Sequence, residues 1–339
     1  MDAGRKTDLI TGGSGFFGTN LAFYLLSKKR KVRIYDLIEP IPELLNKVEF
    51  IKGDINDYKT MNSVCENVDT VYHTVAKVPL SKAGERFRHV NVDGTFSICF
   101  VSIINKVRKF IHISSSAIYD LNEMPITEES KIKPLGDYGK SKLDGEELVK
   151  ASTLNWTIIR PRTILGPYRA GVFQLLFERV YNNQRIPIIG SGQNLFQLIS
   201  ARDLSEACFL ASKRNSASNT IINIGNEDYG TFQELVEDLI EHADSKSKLI
   251  HINPGLAKIT LRILDKLNLS PLADWHYKTI DKPFYFDISK AKRLLKWKPK
   301  DSNKDMIIDS YNWWIKHRNL KTGTTHRTRP DKKLLKLFR

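Results

Sequence analysis

The sequence contains few cysteines and no long apolar run. Cys65, Cys99 and Cys208 are the only cysteines in 339 residues, and no two of them form a C-x-x-C pair. Isolated cysteines on apolar or helical patterns predict reduced structural thiols, so we expect no metal site. No stretch approaches the roughly 18 to 20 apolar residues that span a bilayer. Residues 1–8 are polar and run directly into an apolar segment, so we expect no signal peptide and a cytoplasmic protein.

Positive charge, in contrast, is in excess: 53 Lys and Arg stand against 38 Asp and Glu, a net charge of +15. About half of this excess lies in residues 316–339, where nine basic residues accompany one acid, Asp331. The remaining charge is ordinary for the length, so we expect no nucleic-acid partner. We expect residues 319–339 to form a flexible solvated tail. Because the tail mixes basic and apolar side chains, peripheral contact with an anionic membrane is the alternative interpretation.

A glycine-rich segment, TGGSGFFG at residues 11–18, follows the first apolar run and precedes a helical pattern. This order is typical of a dinucleotide pyrophosphate site at a helix N-terminus. Gly12 suits the tight turn, Gly15 lets the backbone approach phosphate, and Gly18 lets helix and strand pack closely. The next predicted strand ends in Asp36, at a spacing typical of the acid that binds the adenosine ribose hydroxyls and repels a 2′-phosphate. The segment therefore predicts NAD as the cofactor.

Apolar runs alternate with helical patterns through the first half of the chain. Alternation of this kind predicts an α/β fold: a Rossmann-type doubly wound parallel sheet, followed by a smaller, mostly helical C-terminal substrate domain. Strands are predicted at residues 9–11, 32–35, 48–51, 70–73, 109–114 and 157–160. We predict that residues 1–165 and 195–225 form the NAD-binding domain, and that residues 166–194 and 226–318 form the substrate-binding domain.

Tyr138 and Lys142 form a Y-x-x-x-K pattern, which places both side chains on one face of a predicted helix. The pKa of tyrosine, about 10, is too high for a base at neutral pH, but a nearby ammonium and a bound nicotinamide cation would lower it. Three serines, residues 114–116, end a predicted strand at the sheet edge where active groups gather. A tyrosine and a lysine one turn apart are often only surface neighbours; their position after a cofactor motif favours a catalytic site.

In these features, and in their order, the chain resembles an extended short-chain dehydrogenase/reductase of the NAD-dependent epimerase/dehydratase family. The matching segments extend from residue 7 to about residue 300 and include 53–55, 71–76, 91–95, 114–119, 160–161, 166–167 and 295–299. The resemblance implies that Tyr138 is the acid/base, Lys142 its electrostatic partner, and Ser115 the hydroxyl that orients the substrate. It also implies a set of cofactor contacts: Gly12, Gly15, Phe16, Phe17, Gly18, Asp36, Asp54, Ile55, Ala76, Lys77, Asn91, Tyr138, Lys142 and Pro161.

The same resemblance restricts the reaction. Dehydratases of the family place Asp-Glu after the catalytic hydroxyl, and decarboxylases have Glu where this chain has Ala117. Hydride transfer at a secondary alcohol remains, either transient as in a 4-epimerase or net as in a dehydrogenase. The sequence resembles the epimerases at residues 114–117, so we expect a nucleotide-sugar 4-epimerase-like enzyme with a small-molecule substrate. By analogy with the family we also expect a homodimer, joined by helices 86–105 and 137–151.

Two positions depart from the nucleotide-sugar pattern. Thr163 stands where such enzymes usually have Asn, and Phe196 where they usually present Arg to the diphosphate. Loss of a bidentate phosphate donor is not conservative, unless Arg162, Arg169 or Arg202 supplies the charge from another position. The alternative is a 3β-hydroxysteroid-dehydrogenase-like enzyme on a lipidic alcohol, which an apolar slot instead of converging arginines would favour. Four residues are candidates for substrate contact: Ser116, Arg162, Thr163 and Phe196.

Overall fold

The computed structural model describes residues 7–78, 84–169, 171–266, 279 and 281–318. The predicted tail, residues 319–339, lies outside this part of the chain. Within it, no helix combines the length and the apolar character needed to cross a membrane.

Parallel strands form the centre of the fold. The described strands are β1 (Thr7–Thr11), β2 (Lys31–Asp36), β3 (Glu49–Lys52), β4 (Val68–His73), β5 (Lys109–Ile113), β6 (Trp156–Pro161), β7 (Thr163–Leu165), β8 (Ile186–Ile189), β9 (Leu198–Ser200), β10 (Thr220–Ile224) and β11 (Leu249–Ile252). Seven of them form one sheet in the order β3-β2-β1-β4-β5-β6-β10, with every neighbouring pair parallel. The Rossmann-type prediction is confirmed. The strand order reverses direction between β1 and β4, which opens a crevice at their carboxyl ends.

Helices cover both faces of this sheet. Those with described bounds are α1 (Phe16–Ser27), α2 (Pro42–Leu45), α3 (Tyr58–Val64), α4 (Glu85–Arg88), α5 (Gly94–Ile104), α6 (Gly136–Ala151), α7 (Val172–Tyr181), α8 (Ala201–Lys213), α9 (Phe232–His242), α10 (Pro254–Lys266), α11 (Ser289–Leu295) and α12 (Asn303–His317). The single helix expected over residues 86–105 is divided, because a π-helical turn, His89–Asp93, separates α4 from α5.

The core follows from the alternation of side chains along each strand. Ile10 and Ile111 belong to the apolar cluster under α1 and α8, whereas their neighbours Leu9 and Phe110 belong to the cluster under α3 and α5. Successive side chains of a strand point to opposite faces, so a strand covered on both faces must be apolar at almost every position. This explains the continuous apolar runs that marked these strands in the sequence.

A third apolar cluster lies in the C-terminal part of the chain. It joins α7, α9 and α12, beside two small parallel pairs, β7 with β9 and β8 with β11. Between these segments, β10 returns to the large sheet and pairs with β6. The boundaries of the two predicted domains stay a prediction.

Candidate active site

The glycine turn lies at the carboxyl end of β1 and leads directly into α1. Gly12 has a φ of +75°, and a Cβ there would lie 2.8 Å from the backbone nitrogen of Val75. A Cβ on Gly18 would lie 2.3 Å from the carbonyl oxygen of Gly12. Gly15 precedes the first turn of α1 as its N-cap. The turn is therefore a cradle that side chains would fill, with the N-terminus of α1 at its edge, and it fits a dinucleotide pyrophosphate.

The adenosine end of the predicted cofactor site is formed by the residues that follow β2 and β3. The Asp36 carboxylate accepts hydrogen bonds from the backbone N–H groups of Ser14, at 3.0 Å, and Ile38, at 3.2 Å. These bonds hold an anion beside the glycine turn, where the ribose hydroxyls were predicted to bind. Asp54 is exposed after β3, and Ile55 is buried in the cluster under α3 and α5.

Asn91 ties the segment after β4 to α6. From the π-helical turn, its amide oxygen accepts the Lys77 N–H at 2.7 Å, and its amide nitrogen donates to the Lys77 carbonyl at 3.1 Å and to the Ser141 hydroxyl at 2.9 Å. Asn91 is fully buried, so these bonds are not exchanged with water. They hold Ala76 and Lys77 at the mouth of the crevice.

The predicted catalytic residues come together where β5 ends against α6. Ser115 caps the short 3-10 turn Ser116–Ile118, where its hydroxyl accepts the Ala117 N–H at 3.1 Å, and its side chain lies close enough to Tyr138 to lower the pKa of that phenol. Lys142, one turn after Tyr138, is buried and donates to the carbonyl oxygen of Ile113 at 2.6 Å. Ser116 instead binds Arg162. The geometry thus favours Ser115 over Ser116 as the partner of Tyr138.

Burial has the largest effect on the pKa values of this group. Burial raises the pKa of Tyr138 above its usual value, although the hydrogen bond with Ser115 and the charge of Arg169 oppose this rise. Burial also lowers the pKa of Lys142 to about 8, against the attraction of Glu146. In the protein without cofactor, desolvation of the phenolate outweighs the nearby positive charge. The predicted lowering of the tyrosine pKa includes the charge of a bound nicotinamide and stays a prediction.

Behind these residues lies a buried ion pair that the sequence analysis missed. Arg160 contacts the Glu146 carboxylate through two hydrogen bonds, from Nε at 2.9 Å and from Nη2 at 2.6 Å. It also donates to the Tyr119 hydroxyl at 2.6 Å, and Ser114 donates its hydroxyl proton to Glu146. An acid four residues after Lys142, on the same helical face, was the signal available in the sequence.

Arg162 follows β6 and lies against the serine turn. It is only 1% exposed, and its Nη1 donates to the Ser116 hydroxyl at 3.2 Å. The guanidinium carbon lies 3.5 Å from the centre of the Phe284 ring. Its Nε and Nη2 have no hydrogen-bond partner among the described residues. Burial lowers the pKa of Arg162 to about 9.

The other two candidate arginines differ in position. Arg169 is half-buried between the rings of Phe16 and Phe173, at 5.3 and 5.8 Å, and its charge acts on Tyr138. Arg202 is exposed and forms an ion pair with Asp301. Of the three, Arg162 and Arg169 are therefore the arginines that the fold brings to the catalytic residues.

The remaining candidates surround this group at different distances. Pro161 is buried at the end of β6, and Thr163 is half-buried at the start of β7. The ring of Phe196 packs against Phe232 in the C-terminal cluster, whereas its backbone bridges to Phe284. Among the described residues, Phe196 therefore contacts Phe284, and Phe284 in turn contacts Arg162.

The three cysteines are free and buried. Burial raises the pKa of Cys65 and of Cys99 to about 12, which keeps both thiols protonated at neutral pH. Over the described ranges, no three His, Cys, Asp or Glu side chains are grouped so that they could hold a metal ion.

Comparison with known proteins gives a consistent family. Residues 9–225 match the model of the NAD dependent epimerase/dehydratase family. The chain is 38% identical to protein y4nG of Sinorhizobium fredii, over 98% of this chain and 85% of that protein. It is 27% identical to the chloroplast stem-loop binding protein of 41 kDa b of Arabidopsis thaliana, over 91% and 79%. It is 26% identical to a putative UDP-glucose 4-epimerase of Methanocaldococcus jannaschii, over 92% and 99%. Among solved structures, the UDP-glucose 4-epimerase of Thermotoga maritima with UDP-glucose has a TM-score of 0.77 at 22% identity, covering 92% of this chain and all of that one.

Proposed function

Because the chain belongs to the NAD-dependent epimerase/dehydratase family, we propose that it is a nucleotide-sugar 4-epimerase working through Ser115, Tyr138 and Lys142. That it is an NAD-dependent enzyme follows from the family. The observation that carries the finer proposal is the grouping of three side chains where β5 ends against α6: the Ser115 side chain acts on the Tyr138 phenol, and the buried ammonium of Lys142, one turn further along α6, donates to the Ile113 carbonyl oxygen.

Each of these side chains has a separate task in the proposed reaction. Ser115 and Tyr138 hold the substrate hydroxyl between them, and Tyr138 takes its proton as the alcohol becomes a ketone. Lys142 stabilises the phenolate by its charge. NAD, when bound, supplies the acceptor and later the donor of the hydride. Tyr138 then returns the proton to the ketone oxygen after reduction from the opposite face, so that the sugar leaves as its epimer with no net redox change.

The charges around the site support a nucleotide-linked substrate. Arg162 binds Ser116 and the charge of Arg169 acts on Tyr138, so two guanidinium groups lie beside the proposed reacting residues. Such groups suit phosphate or carboxylate oxygens and would be costly beside a lipid. The similarity to a putative UDP-glucose 4-epimerase points the same way. The hydroxysteroid-dehydrogenase alternative is not favoured.

The test is to incubate the protein with NAD and UDP-glucose and to follow both product stereochemistry and reduced cofactor. We expect epimer without accumulation of reduced NAD. Tyr138→Phe should lower kcat by about 100-fold or more, because general acid–base catalysis is lost. The control is Tyr181→Phe, since Tyr181 is an exposed tyrosine on α7. Full activity of Tyr138→Phe, or reduced NAD formed only with an apolar alcohol, would refute the proposal.

We further propose that two copies associate through α5 and α6. Phe96 and Phe100 are 57% and 46% exposed, and their rings stack on each other along α5. Ile103 and Ile104, also exposed, follow on the same helix. An exposed apolar stripe on a helix is typical of an interface. Sedimentation should show a dimer that Phe96→Glu with Phe100→Glu dissociates, whereas the exposed Leu256→Glu on α10 leaves it intact. A monomeric wild type would exclude this interface.

A further inference from the structure

Two buried arginines of this site, two residues apart, differ in whether they have a carboxylate partner. Arg160 is paired with Glu146. Arg162, equally buried, has one hydrogen bond, to the Ser116 hydroxyl, and no ion pair with any described residue. Removing a guanidinium from water without a partner costs several kcal/mol. The rings of Phe284 and Phe286 lie against the Arg162 guanidinium but provide no carboxylate, so an anionic ligand would offset part of this cost.

The unused donors of Arg162 define the shape of what is missing. They are Nε and Nη2, which together form one edge of the guanidinium plane. Four other arginines of this chain bind a carboxylate through this same pair of nitrogens: Arg30 to Asp8, Arg108 to Asp69, Arg160 to Glu146 and Arg202 to Asp301. Two parallel N–H donors match the two oxygens of an oxyanion. Arg162 therefore presents, within the site, the edge that elsewhere in this chain holds a carboxylate.

The position of this edge relates it to one part of the substrate. Arg162 is anchored on Ser116, which follows Ser115, the residue whose side chain acts on the Tyr138 phenol. In the proposed reaction the sugar C4 hydroxyl lies between Ser115 and Tyr138. The exocyclic carbon is carried by C5, the direct neighbour of C4, whereas the diphosphate is carried by C1 across the ring. A group fixed next to Ser115 thus lies nearer to the exocyclic substituent than to the diphosphate.

We infer that Arg162 binds an oxyanion of the substrate, and that this oxyanion is a carboxylate on the sugar ring beside the reacting carbon, so that the enzyme acts on a nucleotide-linked uronic acid. The inference rests on the proposed function and adds its substrate class. The bond to Ser116 fixes the guanidinium plane, and the ring of Phe284 covers one of its faces. The carboxylate would bind at the remaining edge and provide the missing negative charge.

The experiment compares UDP-glucuronate with UDP-glucose, which differ only in the exocyclic group. In the wild type, kcat/KM should favour UDP-glucuronate. In Arg162→Met the ratio of the two kcat/KM values should fall on the order of 100-fold, the loss expected for hydrogen bonds to a charged group. The ratio for Arg162→Lys, which keeps the charge but not the two parallel N–H donors, should lie between those of the wild type and Arg162→Met. An equal loss for both sugars would assign Arg162 to the diphosphate and overturn the ring-carboxylate inference, and an unchanged ratio would also overturn it.

A binding measurement separates this inference from the proposed reaction. With NAD present, UDP-glucuronate should raise the Tm of the wild type more than UDP-glucose does, and Arg162→Met should abolish the difference. If that difference is found while neither sugar is turned over, the proposed reaction fails and the carboxylate site stands. If both sugars raise the wild-type Tm equally, the carboxylate site is refuted whatever the turnover.

Discussion

Replacing Arg160 by methionine should destabilise the protein more than almost any other single change in its sheet. Arg160 is 2% exposed and Glu146 is completely buried, and two hydrogen bonds join them. Methionine fills much of the same volume but leaves the Glu146 carboxylate with the Ser114 hydroxyl as its remaining hydrogen-bond donor among the described residues. Breaking a buried ion pair by removing one member typically costs about 3 to 5 kcal/mol. Since domains are stable by only about 5 to 15 kcal/mol, much of the folding free energy would be lost.

The assay is urea unfolding at 25 °C, with two comparison variants. Arg160→Met combined with Glu146→Leu should recover most of the loss, because no charge then stays buried without a partner. Arg162→Met, two residues further on, should be neutral or stabilising in the absence of substrate, because it removes a buried charge and leaves no carboxylate behind. A loss below about 1 kcal/mol for Arg160→Met, or an equal loss for both arginines, would refute this reasoning.

Two further changes test the glycine turn and the buried lysine. Gly12→Ala should weaken NAD binding at least tenfold and destabilise the fold beyond the roughly 1 kcal/mol of a left-handed residue, because its Cβ meets the Val75 backbone. Gly84→Ala, also at positive φ but in open space, should cost stability through backbone strain alone and leave NAD binding unchanged. Fluorescence titration with NAD and urea unfolding would decide, and equal effects would contradict the steric argument. The pKa of Lys142 falls from 10.5 to about 8, so between these values the unfolded chain binds more protons and stability rises with pH, by about 1 kcal/mol per pH unit. Lys142→Met should remove the contribution of Lys142 to the rise of unfolding free energy between pH 8 and 10. Lys109, with a pKa also lowered to about 8, contributes to this rise in both proteins. Identical slopes of unfolding free energy against pH in the two proteins would exclude the effect.

Local signals in the sequence were sufficient for the sheet and for the cofactor turn. The glycine spacing, the acid at the end of β2 and the apolar runs each depend on neighbours within a few residues, and short-range sterics and burial on both faces determine what they form. The sequence also predicted that Tyr138 and Lys142 share a helical face. It did not predict the sign of the tyrosine pKa shift in the protein without cofactor, because that depends on desolvation by distant segments, such as the Phe87 ring that packs against Tyr138 from α4.

The partners of the buried arginines could not be predicted from the sequence either. Arg160 finds Glu146 across the packing of α6 on the sheet, and Arg162 finds the Phe284 ring from a segment more than a hundred residues later. Nothing in the spacing of Arg160 and Arg162 indicates that one would be neutralised and the other would not. Residues i and i+2 of a strand share a face, so the difference arises because β6 ends at Pro161 and Arg162 already lies beyond the strand.

The buried charges at this edge of the sheet have two different roles, one in the structure and one in the proposed reaction. The ion pair of Arg160 and Glu146 is complete, so it fixes β6, α6 and the serine turn without needing a ligand. Lys142 and Arg162 are buried cations without a carboxylate bonded to them, and burial lowers the pKa of each. Lys142 lies one turn from Tyr138, whose phenolate would pair with the ammonium. Arg162 lies beside Ser116, where a substrate oxyanion would pair with the guanidinium. Because the deficit at Arg162 is removed only by a bound oxyanion, an anionic substrate should stabilise the protein more than a neutral one does.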